Sequence, residues 1–106
     1  MYYTYMLRCK DNSIYTGITT DLKKRMNEHF SKNEKCAKYT KRHTALKLEM
    51  VWNSDNRINA SKLEYRIKQL SKKQKEELIK NPKKFEIFLG EKINCEEYRL
   101  EKIETI

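Results

Sequence analysis

The stretch that decides the fold lies near the amino terminus and reads YYTYMLRC at residues 2–9, KDNS at 10–13 and SIYTGI at 13–18. The first and last segments alternate apolar and polar positions and are rich in aromatic and β-branched residues, which is typical of β-strands. The polar KDNS segment has the length and residue types of a hairpin turn. The sequence therefore predicts an antiparallel hairpin in which Tyr5 and Tyr15 lie on adjacent strands.

Further elements follow from periodicity and capping residues. Alternation at 46–52 predicts a third strand with one buried face. Three helices are predicted, from the caps Thr19–Asp21 to about Ser31, from about Asn59 to Leu70, and from a capping box of Ser71 and Gln74 to about Lys80. The segment 85–89 fits either a short strand or a helical turn, and the last dozen residues fit a charged helix or a frayed tail.

The charge balance favours a polyanionic partner. The chain has 24 Lys and Arg against 15 Asp and Glu, a net charge of +9, which suits DNA, RNA or an acidic membrane surface. The alternative is a lysine-rich surface that serves solubility. Between Ser31 and Leu48 the Lys and Arg residues cluster, and Glu34 is the only acidic residue among them. We expect this loop to contact a nucleic-acid backbone through Lys35, Lys38, Lys41 and Arg42.

Cysteine usage and hydropathy limit the class of protein. Cys9, Cys36 and Cys95 lie far apart and form no CxxC pair, which argues against a zinc ribbon or a redox motif. An odd number of thiols without an export signal indicates reduced cysteines in a cytoplasm. No apolar run approaches the length of a membrane span. These features predict a cytoplasmic protein without a membrane span, and a peripheral membrane role, which the charge would allow, has no amphipathic helix to support it.

Four residues near the amino terminus could take part in chemistry: Tyr5, Tyr15, Arg25 and His29. Arg25 and His29 are four residues apart and project together from one helix. A guanidinium suits bidentate contact with a phosphate, and a tyrosine hydroxyl near a metal or cation can accept a proton. Each residue also has an ordinary interpretation, as a sheet aromatic, a solvated charge beside Asp21, or a half-buried histidine.

Glu64 and Gly17 leave several interpretations open on spacing alone. Glu64 could complete a capping box with Ser61, pair with Lys68, or hold a hard cation such as Mg²⁺. Its place at the edge of an apolar helical stripe allows its carboxylate to point into a cleft. Gly17, late in a strand, indicates a bulge, a close approach by another group, or an ordinary turn.

Taken in order, these residues resemble the motifs of the GIY-YIG nuclease family. Tyr3-Thr4-Tyr5 is similar to the first motif and Tyr15-Thr16-Gly17 to the second. Arg25, His29 and Glu64 follow at similar spacing, and the resemblance covers roughly residues 2–80. The chain departs from the family pattern at Tyr3, Thr4 and Thr16, which stand at structural positions.

The resemblance implies an α+β domain with a three-stranded antiparallel sheet flanked by helices at residues 1–82, followed by an extension at 83–106 without an assigned structure. It implies that Glu64 ligates Mg²⁺ or Mn²⁺ and that Arg25 binds the scissile phosphate. Tyr5 or Tyr15 would accept or relay the proton of the attacking water, assisted by His29. Gly17 would let the backbone approach the site.

We expect from these features a metal-dependent endonuclease that cuts DNA, with structured or damaged DNA in repair or recombination as its substrate. A small domain has little surface for reading a long sequence. The alternative is a non-catalytic module that retains the nuclease fold and binds nucleic acid without cutting it. A basic scaffold protein is a third interpretation. RNA as the nucleic acid stays open, although DNA is the first expectation.

Overall fold

The computed structural model describes residues 1–31 and 42–103. In these ranges the chain forms an antiparallel four-stranded sheet with the order β2-β1-β3-β4. The strands are β1 Tyr2–Cys9, β2 Ile14–Thr19, β3 Ala45–Ser54 and β4 Arg99–Leu100. The helices are α1 Leu22–Ser31, α2 Arg57–Gln69, α3 Lys72–Lys80 and α4 Lys84–Leu89, with a 3₁₀ turn at Cys95–Glu97. The predicted α+β class is therefore confirmed.

The hairpin predicted from the first eighteen residues is present. In its register Tyr5 lies opposite Gly17, and Leu7 lies opposite Tyr15. Asn12 in the connecting turn has a φ of 70°, a left-handed conformation that asparagine tolerates better than most residues. β1 pairs with β3 on its other side, where Tyr5 faces Val51. Tyr5 therefore lies on a central strand of the sheet, with a neighbouring strand on each side.

Alternation along β1 divides the core between the two faces of the sheet. One face carries Tyr5 and Leu7, which pack with Met26 of α1 and Val51 of β3. The opposite face carries Met6. Apolar residues of three helices cover that face, namely Leu63 and Ile67 of α2, Leu78 of α3 and Leu89 of α4. Since side chains alternate across a strand, neighbouring residues of β1 serve two different cores.

The helix starts follow the predicted capping chemistry. The Asp21 side chain accepts a hydrogen bond from the Lys24 backbone N–H at 3.1 Å, and Ser71 forms the predicted capping box with Gln74. α2 begins two residues earlier than expected because the Asn56 side chain accepts from the Asn59 N–H at 2.8 Å. None of the helices in the described ranges has the length and hydropathy needed to cross a bilayer.

The expectation of a three-stranded sheet is wrong, because β4 adds a fourth strand within the described residues. Leu100 pairs with Trp52, and the Glu101 N–H donates to the Val51 carbonyl at 2.8 Å. A two-residue strand is too short to show periodicity, and only its partner on β3 defines it. The segment 85–89 is helical. The domain boundary at residue 82 stays a prediction, although Leu89 beyond it joins the core.

Candidate active site

The site is built around Tyr5 on the face of the sheet that α1 covers. Tyr5 is fully buried, and its hydroxyl lies 2.7 Å from Nε2 of His29. Burial, followed by the charge of Tyr15, raises the pKa of Tyr5, while a hydrogen bond from Arg25 and its positive charge oppose that rise. Tyr5 therefore stays protonated at neutral pH and can donate to His29.

His29 is fully buried rather than half-buried as its place on the helix predicts. Its ring centroid lies 5.6 Å from that of Tyr5 and 5.4 Å from that of Tyr15. Burial and then the positive charge of Arg25 lower the pKa of His29 to about 4. The imidazole is therefore neutral at physiological pH, and it places no second positive charge beside Arg25.

Arg25 is held by a residue that the sequence interpretation missed. Its Nη1 lies 2.8 Å from Oε1 of Glu28, and both side chains are largely buried. The expected partner Asp21 instead accepts the Arg25 backbone N–H through its carbonyl at 3.0 Å. The signal that could have revealed Glu28 is its i,i+3 spacing from Arg25. This ion pair fixes one edge of a guanidinium whose five donors suit phosphate recognition.

Gly17 is required by the ring of Tyr5. A Cβ atom built on Gly17 would lie 2.6 Å from the Tyr5 hydroxyl oxygen and 2.8 Å from a ring carbon of Tyr15. Both contacts are closer than real side chains allow, so both tyrosine rings would have to move. The glycine is thus a close-approach position, and the tyrosine rings occupy the space above it. The backbone of this edge strand is not left-handed there.

Glu64 reaches the same region from the opposite side of the sheet. It lies on α2, which packs against β1 and β2, and its negative charge contributes to raising the pKa of Tyr5. Its side chain is 24% exposed and pairs loosely with Lys68, with 3.4 Å between Oε2 and Nζ. Because Asn56 caps α2, a capping box between Glu64 and Ser61 is wrong. The carboxylate is therefore near the cluster and accessible from solvent.

One accessible carboxylate fits a hard divalent ion better than it fits a zinc site, which needs several protein ligands. Within the described ranges, no three His, Cys, Asp or Glu residues come together as a metal-binding group. Zinc in structural sites needs four protein ligands. Mg²⁺ usually keeps several waters and binds through one or two carboxylates plus substrate phosphates. Glu64 is therefore the residue that could hold such an ion, with the remaining positions left to water and substrate.

The structure brings some of the predicted residues together and leaves others undescribed. The rings of Tyr5 and Tyr15 lie 6.1 Å apart, so both tyrosines meet at His29. Of the basic residues predicted to contact nucleic acid, Lys35, Lys38 and Lys41 lie outside the described residues. Arg42 is described and exposed.

Comparison with known proteins places these residues within a shared domain. The family model for the GIY-YIG catalytic domain matches residues 1–77, which include Tyr5, Tyr15, Arg25, His29 and Glu64. A UPF0213 protein of Fusobacterium nucleatum is 51% identical over 84 residues, which are 79% of this chain and 82% of the relative. A UPF0213 protein of Halobacterium salinarum is 42% identical over 79 residues, covering 74% of this chain and 100% of the relative.

A solved structure is similar as well. The solution NMR structure of a UPF0213 protein from Bacillus halodurans is 40% identical in sequence and has a TM-score of 0.49. The match covers 76% of this chain and 84% of that chain. The names of these relatives state no substrate.

Proposed function

This chain belongs to the GIY-YIG family of nucleases, and from that premise we propose that it is a divalent-metal-dependent endonuclease that hydrolyses phosphodiester bonds in DNA. The observation that carries the proposal is that Tyr5, His29 and Arg25 lie together on one face of the sheet, with Glu64 close enough for its charge to act on Tyr5. A tyrosine, a cation and an accessible carboxylate are the groups that such hydrolysis needs.

Arg25 binds the scissile phosphate in this proposal. Its guanidinium is preset by Glu28 and contacts Tyr5, so its side chain gives up little entropy when a phosphate arrives. The neutral state of His29 leaves Arg25 as the positive charge of the cluster. That charge offsets the negative charge that develops on the phosphate oxygens.

The two tyrosines divide the proton chemistry between them. Tyr5 is fully buried and protonated, so it donates to His29 and holds the cluster in place. Tyr15 is half-buried and packs against both rings, which makes it the tyrosine that water can reach. We assign to Tyr15 the acceptance of the proton from the attacking water, and to Tyr5 the role of a positioning residue.

Glu64 would hold Mg²⁺ or Mn²⁺. A bound divalent ion supplies Lewis-acid polarisation of the phosphate and offsets charge on the leaving oxygen. The carboxylate itself must be deprotonated and within reach of the phosphate bound by Arg25, which its charge effect on Tyr5 supports. Its loose pair with Lys68 can open at small cost, because exposed ion pairs of this kind contribute about 0–1 kcal/mol.

We propose structured or damaged DNA as the substrate, in a cytoplasmic repair or recombination process. The matched domain spans residues 1–77, and a domain of this size has little surface for reading a long base sequence. Backbone contacts would come from Lys35, Lys38, Lys41 and Arg42, and such contacts weaken steeply with salt. Free thiols at Cys9 and Cys95 are compatible with a reducing compartment.

The test is cleavage of supercoiled plasmid and of a branched DNA junction in Mg²⁺ or Mn²⁺. We expect Glu64→Gln and Arg25→Met to lower the rate by about 10²–10³-fold, the size of effect seen when one group that stabilises the transition state is removed. Two matched controls separate chemistry from charge. Lys68→Met breaks the Glu64 ion pair but keeps the carboxylate, and Lys24→Met removes an exposed cation beside Arg25. Both controls should cut within a few-fold of the wild type.

Absence of cutting on every substrate, with equal and salt-sensitive binding by all variants, would instead support the non-catalytic binding module. Equal losses in Glu64→Gln and Lys68→Met would show that the ion pair, and not a metal ligand, is what the reaction needs.

A further inference from the structure

A second surface lies on the outward side of α2, away from the catalytic cluster. It is a groove with a cavity volume of about 1020 Å³ between the exposed residues of α2 and the segment 91–98. The Tyr98 hydroxyl donates to the Asn59 carbonyl at 2.7 Å and ties the two walls together. The five predicted catalytic residues do not line it. The groove is therefore a separate feature of the fold.

The charges of this groove are weighted toward the positive. Arg57, Lys62, Arg66 and Lys92 line it, against Glu91 and Glu97. Among the residues that the structure describes, none of these four cations lies within ion-pair distance of a carboxylate. By contrast, Lys68 and Lys72 on neighbouring surfaces are each paired with a glutamate. An excess of cations in a concave surface suits a chain of phosphates.

An aromatic ring lies among these cations. Tyr65 is 56% exposed, and the guanidinium carbon of Arg66 lies 5.2 Å from its ring centroid. Ile58 beside it is 67% exposed. Exposed aromatic rings paired with arginine are the surfaces on which unpaired bases stack, whereas a duplex keeps its bases stacked inside. An acidic protein is the rival ligand for this groove. It could pair with the cations, but it would have no bases to stack on the Tyr65 ring.

We propose that this groove binds a short single-stranded segment of nucleic acid, with Tyr65 stacking against a base and Lys62 and Arg66 contacting phosphates. The inference deepens the proposed nuclease function and, as a statement about substrate, rests on it. Tyr65 directly follows Glu64 on α2, but successive residues of a helix point in different directions, so the groove and the proposed metal ligand lie on different faces of α2. The substrate class is then nucleic acid with an unpaired segment that is bound outside the catalytic cluster.

The test is binding in EDTA, which prevents metal-dependent cutting and separates this proposal from the nuclease activity. Fluorescence anisotropy would compare labelled oligothymidylate and oligouridylate of about ten nucleotides with a duplex of equal length. We expect tighter binding of the single strands. Tyr65→Ala should weaken it about fivefold or more, while Tyr65→Phe should retain it because the ring persists. The two single-stranded probes distinguish DNA from RNA, and preference for either supports the site.

Salt dependence tests the phosphate contacts. For the double variant Lys62→Gln, Arg66→Gln we expect the slope of log affinity against log salt to fall by about 0.7 for each phosphate that is no longer neutralised. Lys73→Gln on α3, an exposed cation outside the groove, is the matched control and should leave the slope unchanged. Unchanged single-strand binding in Tyr65→Ala would overturn the proposal. So would an oligoglutamate peptide that competes equally well, since it would identify an acidic protein as the ligand.

Discussion

Two buried polar clusters lie on opposite faces of β1, and they differ in how completely their charges are matched. On one face Arg8 is 9% exposed, donates from Nη1 and Nη2 to Glu76 at 2.5 and 2.6 Å, and donates from Nε to Glu49 at 3.0 Å. On the other face Tyr5 and His29 form an uncharged pair beside Arg25, which has a carboxylate partner in Glu28.

This difference in charge pairing suggests different roles for the Arg8 cluster and the Tyr5 cluster. Arg8 connects β1 to β3 and to α3, and its donors are taken up by two carboxylates and by Asn12. A buried charge matched in this way resists rearrangement and suits a structural role. The cluster around Tyr5 combines a half-buried tyrosine, a cation preset by a carboxylate and an accessible Glu64. We propose that it can therefore accept a phosphate without first breaking a saturated network.

The tyrosines give the largest expected effect. Tyr15→Phe should lower the cleavage rate by about 10²–10⁴-fold, the loss of a general base, with little change in the free energy of unfolding. Tyr5→Phe should lower the rate less but cost about 1–3 kcal/mol in stability, because His29 loses a buried hydrogen-bond partner. Single-turnover cleavage and urea unfolding of both variants measure the two effects. The opposite ranking of rates would assign the base to Tyr5.

Breaking the cluster around Arg8 should lower the free energy of unfolding and leave the cleavage rate of the folded protein unchanged. Arg8→Met leaves Glu49 and Glu76 without their arginine and should lower the free energy of unfolding by roughly 3 kcal/mol. That is the low end of the range for buried pairs, because the Glu76 side chain is still 36% exposed. Urea denaturation followed by circular dichroism gives the value.

The control for Arg8 is Lys47→Met, which removes a cation 3.6 Å from the same Glu49 but 64% exposed. It should cost less than about 1 kcal/mol. If Arg8→Met abolished cleavage while the protein remained as stable as the wild type, the division between a structural and a catalytic face would be wrong.

The smallest expected effect is a difference in pH dependence: His29 on one face and Glu76 on the other lose their contributions to stability in different pH ranges. Burial lowers the folded-state pKa of His29 from 6.5 to about 4, so the stability that neutral His29 contributes is full above pH 6.5 and is lost as pH falls toward 4. The hydrogen bond from Arg8 lowers the pKa of Glu76 from 4.5 to about 2, so its contribution is full above pH 4.5 and is lost toward pH 2.

Unfolding free energies measured from pH 8 to 2 would resolve these two windows. The stability difference between wild type and His29→Gln should shrink between pH 6.5 and 4, and that for Glu76→Gln between pH 4.5 and 2. A single shared window for both variants would mean that the two clusters are coupled through β1.

Much of the fold was predictable because it depends on local spacing. Alternation over 2–18 predicts the hairpin, and the residue types at Asp21 and Ser71 predict where α1 and α3 begin. Helical spacing also predicts an apolar stripe of Leu22, Met26, His29 and Phe30 on α1, and this prediction is partly wrong. Phe30 is 46% exposed, whereas His29 and Glu28 are buried, because the polar cluster and not hydropathy decides which residues face the sheet.

The sequence by itself determined the hairpin and the i,i+4 relation of Arg25 to His29, since these depend on strand and helix periods and on turn residues. Only the tertiary structure decided which side chains became partners. Arg8 and Glu76 are 68 residues apart, and β4 exists only because β3 offers it an edge. Such contacts depend on how helices and strands pack in three dimensions, and no period in the sequence records that packing.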